Sequence, residues 1–330
     1  MQNPSRLNPA SAAALTSTST STPIPALAHP GTDPAAHAAQ QERRGIWLMV
    51  AGGTLLGSIG VFVQEAGQHP LVTVWFRCAF GALALLLWAA ASGTLPSLRL
   101  RGAGLLVACS TGALMLLNWA MFFAAIPRTS IAVATVVFHI QPIWVILFGA
   151  LFLREPVSRG QWLATPVALL GLALSTGLLD HGFSAAAQPV GGDYVLGLLL
   201  CMGGSLSYAA VTLLAKSKQA IPPFTLAFWQ CAVGTVLLLW APWVLGWPQQ
   251  PAAWAWLAGL GVIHTGLAYV VLFAGMARLS LGQIAVLQFV YPLAAVLFDG
   301  AIYGTRLSLV QTIGVLLMGG AVWTIRKPAR

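Results

Sequence analysis

The stretch FAAIPRTSIAVATVVFHIQPIWVILFGALFLREPVSRGQ, residues 123–161, is echoed without a gap by FAGMARLSLGQIAVLQFVYPLAAVLFDGAIYGTRLSLVQ, residues 273–311. Phe123, Ala124, Arg128, Ser130, Val136, Pro142, Leu147, Phe148, Ser158 and Gln161 recur 150 residues on as Phe273, Ala274, Arg278, Ser280, Val286, Pro292, Leu297, Phe298, Ser308 and Gln311. Shared composition accounts for the aliphatic matches, but it does not hold Arg, Ser, Pro, Ser and Gln in one register. The chain therefore contains a true repeat. A proline midway along an apolar segment of each copy points to a carrier built from two homologous halves.

Outward from this repeat, the 330 residues are 58% hydrophobic and 7% charged, far from the quarter of charged residues usual in soluble domains. The composition implies an all-α polytopic membrane protein. A formal charge of +9 does not imply a nucleic-acid partner, because Lys and Arg are spread thinly between apolar runs. Cys78, Cys109, Cys201 and Cys231 lie inside apolar stretches with no CxxC pair and no nearby His, so they read as reduced packing residues and no metal site is expected. Residues 1–40, rich in Ala, Ser, Thr and Pro, read as a disordered cytoplasmic tail. A signal peptide is disfavoured, since the first long apolar run starts only after Arg43 and Arg44.

Ten segments reach the length and apolarity of a membrane-spanning helix: 45–64, 71–91, 105–125, 130–153, 161–179, 194–215, 224–245, 252–276, 281–302 and 309–325. None shows the alternation of a membrane barrel strand. With the amino terminus in the cytoplasm, 13 of the 16 basic residues fall on that side, only Arg128 and Arg306 fall outside, and Arg77 lies within a segment. This separation obeys the positive-inside rule and places both termini in the cytoplasm. Five helices per repeat, an odd number, force the two halves (45–179 and 194–325) into opposite orientations. The expected fold is thus ten transmembrane helices as two inverted five-helix repeats, with a binding site near the midplane between them.

The segments NWAMFFAAIPRTSIAVATVVFHIQPIWVILFGALFLREPVS (118–158) and AGMARLSLGQIAVLQFVYPLAAVLFDGAIYGTRLS (274–308) resemble the signature of EamA-type permeases of the drug/metabolite transporter superfamily. The resemblance rests on the alanine-bearing end of helix three, the short link into helix four, Pro142 and Glu155, with Pro292 in the second copy. The second copy departs at Thr305, where the family often has glutamate. The resemblance covers nearly all of 45–325 and implies an inner-membrane carrier of small metabolites, often an exporter of amino acids or related compounds.

Ionisable groups within membrane helices cost about 2.5 to 3.5 kcal/mol each on insertion scales, so each invites a functional reading. Asp299 follows Pro292 and, by helical rotation, shares a face with Gln288, with Tyr291 on its flank. It is either part of a cavity wall or close enough to the helix end to reach water. Arg77 lies about two turns into helix two. It either pairs with Asp299 as an outer gate or snorkels to the headgroups. His139 and His264 are candidates for coupling to a proton gradient, against the commoner state of a neutral buried imidazole. Asn118, Trp119, Gln141, Tyr208, His264, Tyr269, Gln288 and Tyr291 are candidates for lining a substrate pocket, or singly for interhelical bonds. Gln141 and Tyr291 stand immediately before the paired prolines. Pro142 and Pro292 each remove a backbone donor and free a carbonyl at midplane depth, for gating or substrate contact.

These readings converge on a secondary transporter working by alternating access on a small neutral or zwitterionic, amino-acid-like solute, as monomer or homodimer, without cofactor. The direction expected is export, with an uptake permease of the same fold as the alternative. No GxxxxGK[ST] loop supports ATP coupling. An intramembrane enzyme would need a nucleophile with a base, or a metal cluster, and no HExxH or GxSxG motif supplies one. Few fixed charges in the bundle disfavour polyanionic cargo such as sugar nucleotides.

Overall fold

The computed structural model of the chain describes residues 34–177, 192–216, 221–304 and 306–324. Residues 1–33 of the tail, Lys218, Thr305 and the basic residues from 326 onward lie outside the described residues. Helix α1 runs Pro34–Gly57 and continues past Ser58 as Ile59–Ala66; α2 is Pro70–Ala91 and α3 Gly102–Ala125. Helix α4 is broken into Ile131–Phe138 and Gln141–Phe148 and ends in a π-turn at Gly149–Leu153; α5 is Arg159–Ser175. The second half holds α6 (Gly192–Ala215), α7 (Pro223–Leu237), α8 (Pro251–Met276), α9 (Leu281–Leu287 and Val290–Tyr303) and α10 (Leu309–Thr324). Among the described residues seven of these are long and apolar enough to cross a bilayer, and α5, α7 and α10 are the shorter members.

One expectation is corrected. The segment 34–40, read as the end of the tail, is helical, with 35–40 exposed, because α1 extends through its polar start. The apolar runs over helices four, eight and nine are not continuous α-helices. Helix α4 breaks at His139–Ile140, α9 at Gln288–Phe289, and α8 widens to a π-helix over Leu260–Leu267.

The polar matches of the repeat turn out to be helix terminators. Ser158 Oγ accepts from Gln161 N at 3.2 Å while Gln161 Oε1 accepts from Ser158 N at 3.0 Å; Ser308 and Gln311 repeat the same box at 3.1 and 2.9 Å. Each pair satisfies N–H groups that a starting helix leaves open. Ser130 and Ser280 likewise cap α4 and α9. Arg128 Nη1 donates to the Ala124 carbonyl at 2.6 Å and Arg278 Nη1 to that of Ala274 at 2.5 Å, closing the ends of α3 and α8.

Packing obeys the exchange of halves. Helix α3 lies against α6 and α8 against α1; α2 crosses its counterpart α7, and α5 its counterpart α10. The α5–α10 seam depends on glycine, since a Cβ on Gly171 would stand 2.6 Å from the Gly314 carbonyl oxygen and one on Gly314 2.5 Å from that of Gly171. Small residues permit such backbone approach in lipid, where tight packing replaces hydrophobic burial as the driving force. The symmetry fails at α4 and α9. The carboxyl end of α4 packs on the amino end of α9, with Gly149 directly against Leu281, whereas the opposite ends share no comparable packing.

Gly314→Leu is expected to lower stability by about 1–3 kcal/mol through overpacking, read as a fall in the thermal unfolding midpoint of the purified protein, while the same change at Gly319, where the added Cβ meets nothing within 4 Å, leaves it nearly unchanged.

Candidate functional site

Each paired proline sits just after a helix break, buried, and lacks the N–H that would have bonded the carbonyl four residues earlier. The two breaks face one another. Gln141, from the first, donates its Nε2 to Gln288 Oε1 at the second, and Gln288 Nε2 reaches Thr212 of α6 at 3.5 Å. Gln141 is 3% exposed and its Oε1 has no partner, an unmet acceptor of the kind that costs about 1–3 kcal/mol when buried. Tyr291 stacks on His139 at 6.1 Å between ring centroids, while His139 Nδ1 lies 2.7 Å from the Thr135 carbonyl in its own helix. Trp144 donates to Ser205 of α6 at 3.1 Å. The joint is therefore polar at the depth where the halves meet.

Next to this joint, α2 and α7 cross through a second repeat. RCAFG at 77–81 recurs as QCAVG at 230–234, and Pro70 and Pro223 open the two helices in the same register, 153 residues apart. The crossing is reciprocal: a Cβ on Gly81 would lie 3.2 Å from Cys231 Sγ, and one on Gly234 2.6 Å from Cys78 Sγ. Arg77 and Gln230 are thus counterparts on facing helices. Both are buried, at 6% and 4% exposure, and neither amide atom of Gln230 has a hydrogen-bond partner.

Arg77 takes neither of its two expected places. Its Nε donates to Thr265 Oγ1 at 3.0 Å, and its guanidinium carbon lies 4.4 Å from the centroid of the Trp119 ring, within range of a cation–π interaction. It does not snorkel, and it does not pair with Asp299, which is exposed on the far side of the α9 break. The break interrupts the regular rotation that had put Asp299 and Gln288 on one face. Thr265 is positioned by the π-helix of α8, where its hydroxyl donates to the Leu260 carbonyl at 3.0 Å. One turn earlier Gly261 admits the α2 backbone, its Cβ position lying 2.9 Å from Gly81 N. The same faces of α2 and α8 that touch through glycine thereby bring Arg77 to Thr265.

Two narrow adjoining cavities lie among the packed helices of the two halves. One is bounded by Trp119, Gln230, Thr265, Tyr269 and the two cysteines of the crossing; the other by Tyr208, Thr212, Tyr269 and the apolar Val211, Leu272 and Met276, and both are nearly closed in this conformation. Met115 and Tyr269 belong to both. Of the expected site residues, Trp119, Tyr208 and Tyr269 line these cavities, and Gln141, Gln288 and Tyr291 form the joint beside them. Asn118 instead fastens α3 to α6 through the Gly204 carbonyl at 2.9 Å. His264 sits apart, 2.9 Å from Ser58 Oγ at the interruption of α1 and edge-on to Phe62. Sequence reasoning passed over Gln230, Thr265 and Thr212. The RCAFG and QCAVG pair was the signal for the first of these, hidden because its register is 153 rather than 150.

At the packed ends of α4 and α9 a charged clasp joins the halves. Arg154, whose φ of 55° is the only positive value among described non-glycine residues, turns the chain out of the π-turn. Glu155 Oε2 then accepts from Leu281 N at 2.9 Å at the start of α9, and Oε1 lies 3.7 Å from Lys216 Nζ at the end of α6. Lys216 also donates to the Leu279 carbonyl at 2.6 Å.

Two inverted five-helix halves meeting at broken helices, with a polar joint beside mainly apolar cavities, define a multi-pass membrane transporter. The chain belongs to the EamA-like transporter family, whose model matches residues 43–177 and 195–326. It is 27% identical over 298 residues to an uncharacterized transporter, YxxF, of Bacillus subtilis, covering 89% of this chain and 93% of that one, and 28% identical to an uncharacterized transporter of Archaeoglobus fulgidus, covering 86% and 97%. The pseudopaline exporter CntI of Pseudomonas aeruginosa is 28% identical over 235 residues, 67% of this chain and 74% of CntI. A protein of known crystal structure superposes with a TM-score of 0.74 over 86% of this chain and 97% of its own length, at 17% identity. That likeness carries the fold. The relatives are transporters, and the intramembrane enzyme weighed above is set aside.

Gln141→Leu and Gln288→Leu are each expected to destabilise by about 1–3 kcal/mol, because each strands the other amide. The double variant should lose less than the sum of the two, and strict additivity in a double-mutant cycle by thermal unfolding would refute the coupling.

Proposed function

We propose that this chain is a secondary transporter that exports a small neutral or zwitterionic, amino-acid-like solute across the plasma (inner) membrane by alternating access. The observation that carries the reading is the joint between halves, where two proline-broken helices face one another through Gln141 and Gln288 beside the cavities. A helix broken at midplane provides both substrate contacts and a place to bend. Export is favoured by the relative named as an exporter.

The 13 basic residues gathered on one side of the ten-helix topology support cytoplasmic termini, with 45–179 and 194–325 as the moving halves and 1–40 mainly a tail. In that orientation the packed ends of α4 and α9 face the cytoplasm and their separated ends face outside. The conformation is then cytoplasm-closed, held by Glu155, Leu281 and Lys216. Asp299, at the separated end, and Arg77, beside the cavity, act in different places rather than as one gate. Proton coupling, where it operates, falls to His264 with Ser58 or to His139 beside Tyr291. A path enclosed by one chain needs no partner subunit, so a monomer suffices and a homodimer would carry two paths.

Purified protein in vesicles loaded with an amino-acid mixture should release at least one component faster than empty vesicles do; conversion of a component without translocation would defeat the carrier reading. Glu155→Gln weakens a charge-assisted bond worth about 1.5–3 kcal/mol, roughly a ten- to hundredfold shift away from the closed state. Flux at equal protein level should fall about tenfold or more as cycling is unbalanced, and unchanged flux would reduce the clasp to a static contact.

A further inference from the structure

The α2–α7 crossing presents one cation and one amide from equivalent positions of the two halves, and neither is saturated. Arg77 uses Nε on Thr265, and its remaining N–H groups have the Trp119 face but no carboxylate within pairing distance among the described residues, where the ion pair present is Lys216 with Glu155. A buried cation without a counter-ion is costly in a membrane interior. Gln230, its counterpart, is 4% exposed with both Nε2 and Oε1 unpartnered, and it bounds the cavity that Trp119 and Thr265 also bound. Buried polar groups left open on two facing helices are what a site looks like when its ligand supplies the missing partner.

The geometry points to a carboxylate-binding subsite formed by Arg77 and Gln230, which makes the cargo a small monocarboxylate bearing an apolar group. A planar guanidinium whose Nη groups hold no carboxylate among the described residues matches one, and Gln230, on the crossing helix, brings an Nε2 donor to the cavity that Thr265 and Trp119, the partners of Arg77, also line. A single fixed cation suits a monoanion and is too little for a phosphate ester, which calls for several. The adjoining cavity shares Tyr269 and Met115 with this one and is otherwise walled largely by Val211, Leu272, Phe273 and Met276, so the remainder of the solute meets an apolar surface with Tyr208 and Thr212 at its polar edge. No acidic side chain stands there to demand an ammonium. The carboxylate is thus the required feature and the amine an optional one. This inference rests on the carrier reading; it makes the carboxylate the defining feature of the solute and extends the class from zwitterions to monoanions.

The test compares metabolites released to the medium by cells making the full chain, Arg77→Gln, Arg77→Lys or Gln230→Leu, by untargeted mass spectrometry with each protein quantified in the membrane. With the unaltered chain, the compounds whose outside level rises are expected to carry a carboxylate on an apolar moiety. Arg77→Gln should cut that release at least tenfold at equal membrane abundance; Arg77→Lys, which keeps charge but not the planar fork, should retain part of it, and Gln230→Leu should fall between. In vesicles loaded with an exported acid or its primary amide, the amide should leave at least tenfold more slowly. Release of compounds lacking a carboxylate, or full release by Arg77→Gln, would overturn the subsite and leave the carrier intact. No compound released by any version would defeat both.

Discussion

Within hydrocarbon no water stands ready to pair with a backbone N–H or C=O, so every interruption of a helix must be resolved inside the protein. The described structure concentrates such interruptions where the two halves touch. Helix α4 breaks before Pro142, α9 breaks before Pro292, α8 widens over Leu260–Leu267, and α1 falters at Ser58. Each is answered locally: Ile140 N bonds the Val137 carbonyl at 3.2 Å and Phe289 N that of Val286 at 3.2 Å at the two breaks, Thr265 bonds the widened turn, and Ser58 donates to the Leu55 carbonyl while holding His264. Helices α3, α6 and α10 run without a break. The regular helices serve as struts and hold Arg77 and Gln230, while the irregular ones carry Gln141, Gln288 and Thr265.

A second constraint follows from the first. With so few charges in the bundle, each one defines its surroundings. Glu155 finds both a helix start and a lysine, so it binds the halves at one end. Arg77 finds a hydroxyl and an indole, which steady it without neutralising it. Of these two buried or half-buried charges, one is compensated and fastens the protein, and the other is left with capacity for a guest.

The fold was legible because the 150-residue echo preserves punctuation: serine caps, capping boxes and carboxyl-terminal arginines fix where helices start and stop, and these are local properties of sequence. The pairing of Arg77 was not legible. Its partners Thr265 and Trp119 come from α8 and α3, and their approach depends on Gly81 and Gly261 lying back to back, which no spacing within one segment reveals. The face computed for Asp299 failed for a related reason, since helical arithmetic assumes an unbroken helix and α9 is broken between Gln288 and Val290. Gln141, Tyr208, Tyr269 and Trp119 were found because polar and aromatic side chains in an apolar run are conspicuous. Gln230 is equally polar in its run, but only the crossing shows its kinship with Arg77.

The widened turn of α8 leaves a trace in the numbering itself. Gly112 of α3 and Gly261 of α8 are 149 residues apart and each admits a neighbouring helix, α7 for the first and α2 for the second, yet from Phe123 and Phe273 onward the halves run 150 apart. A π-turn houses one extra residue without disturbing the helix on either side, and one residue is the size of the slip. The second half thus carries an insertion absorbed as a bulge rather than expelled as a loop. Its consequence is chemical asymmetry within a symmetric frame: the regular α3 has no equivalent of the turn that hands Thr265 to Arg77, so the duplicated scaffold offers its two faces unequally to whatever lies between them.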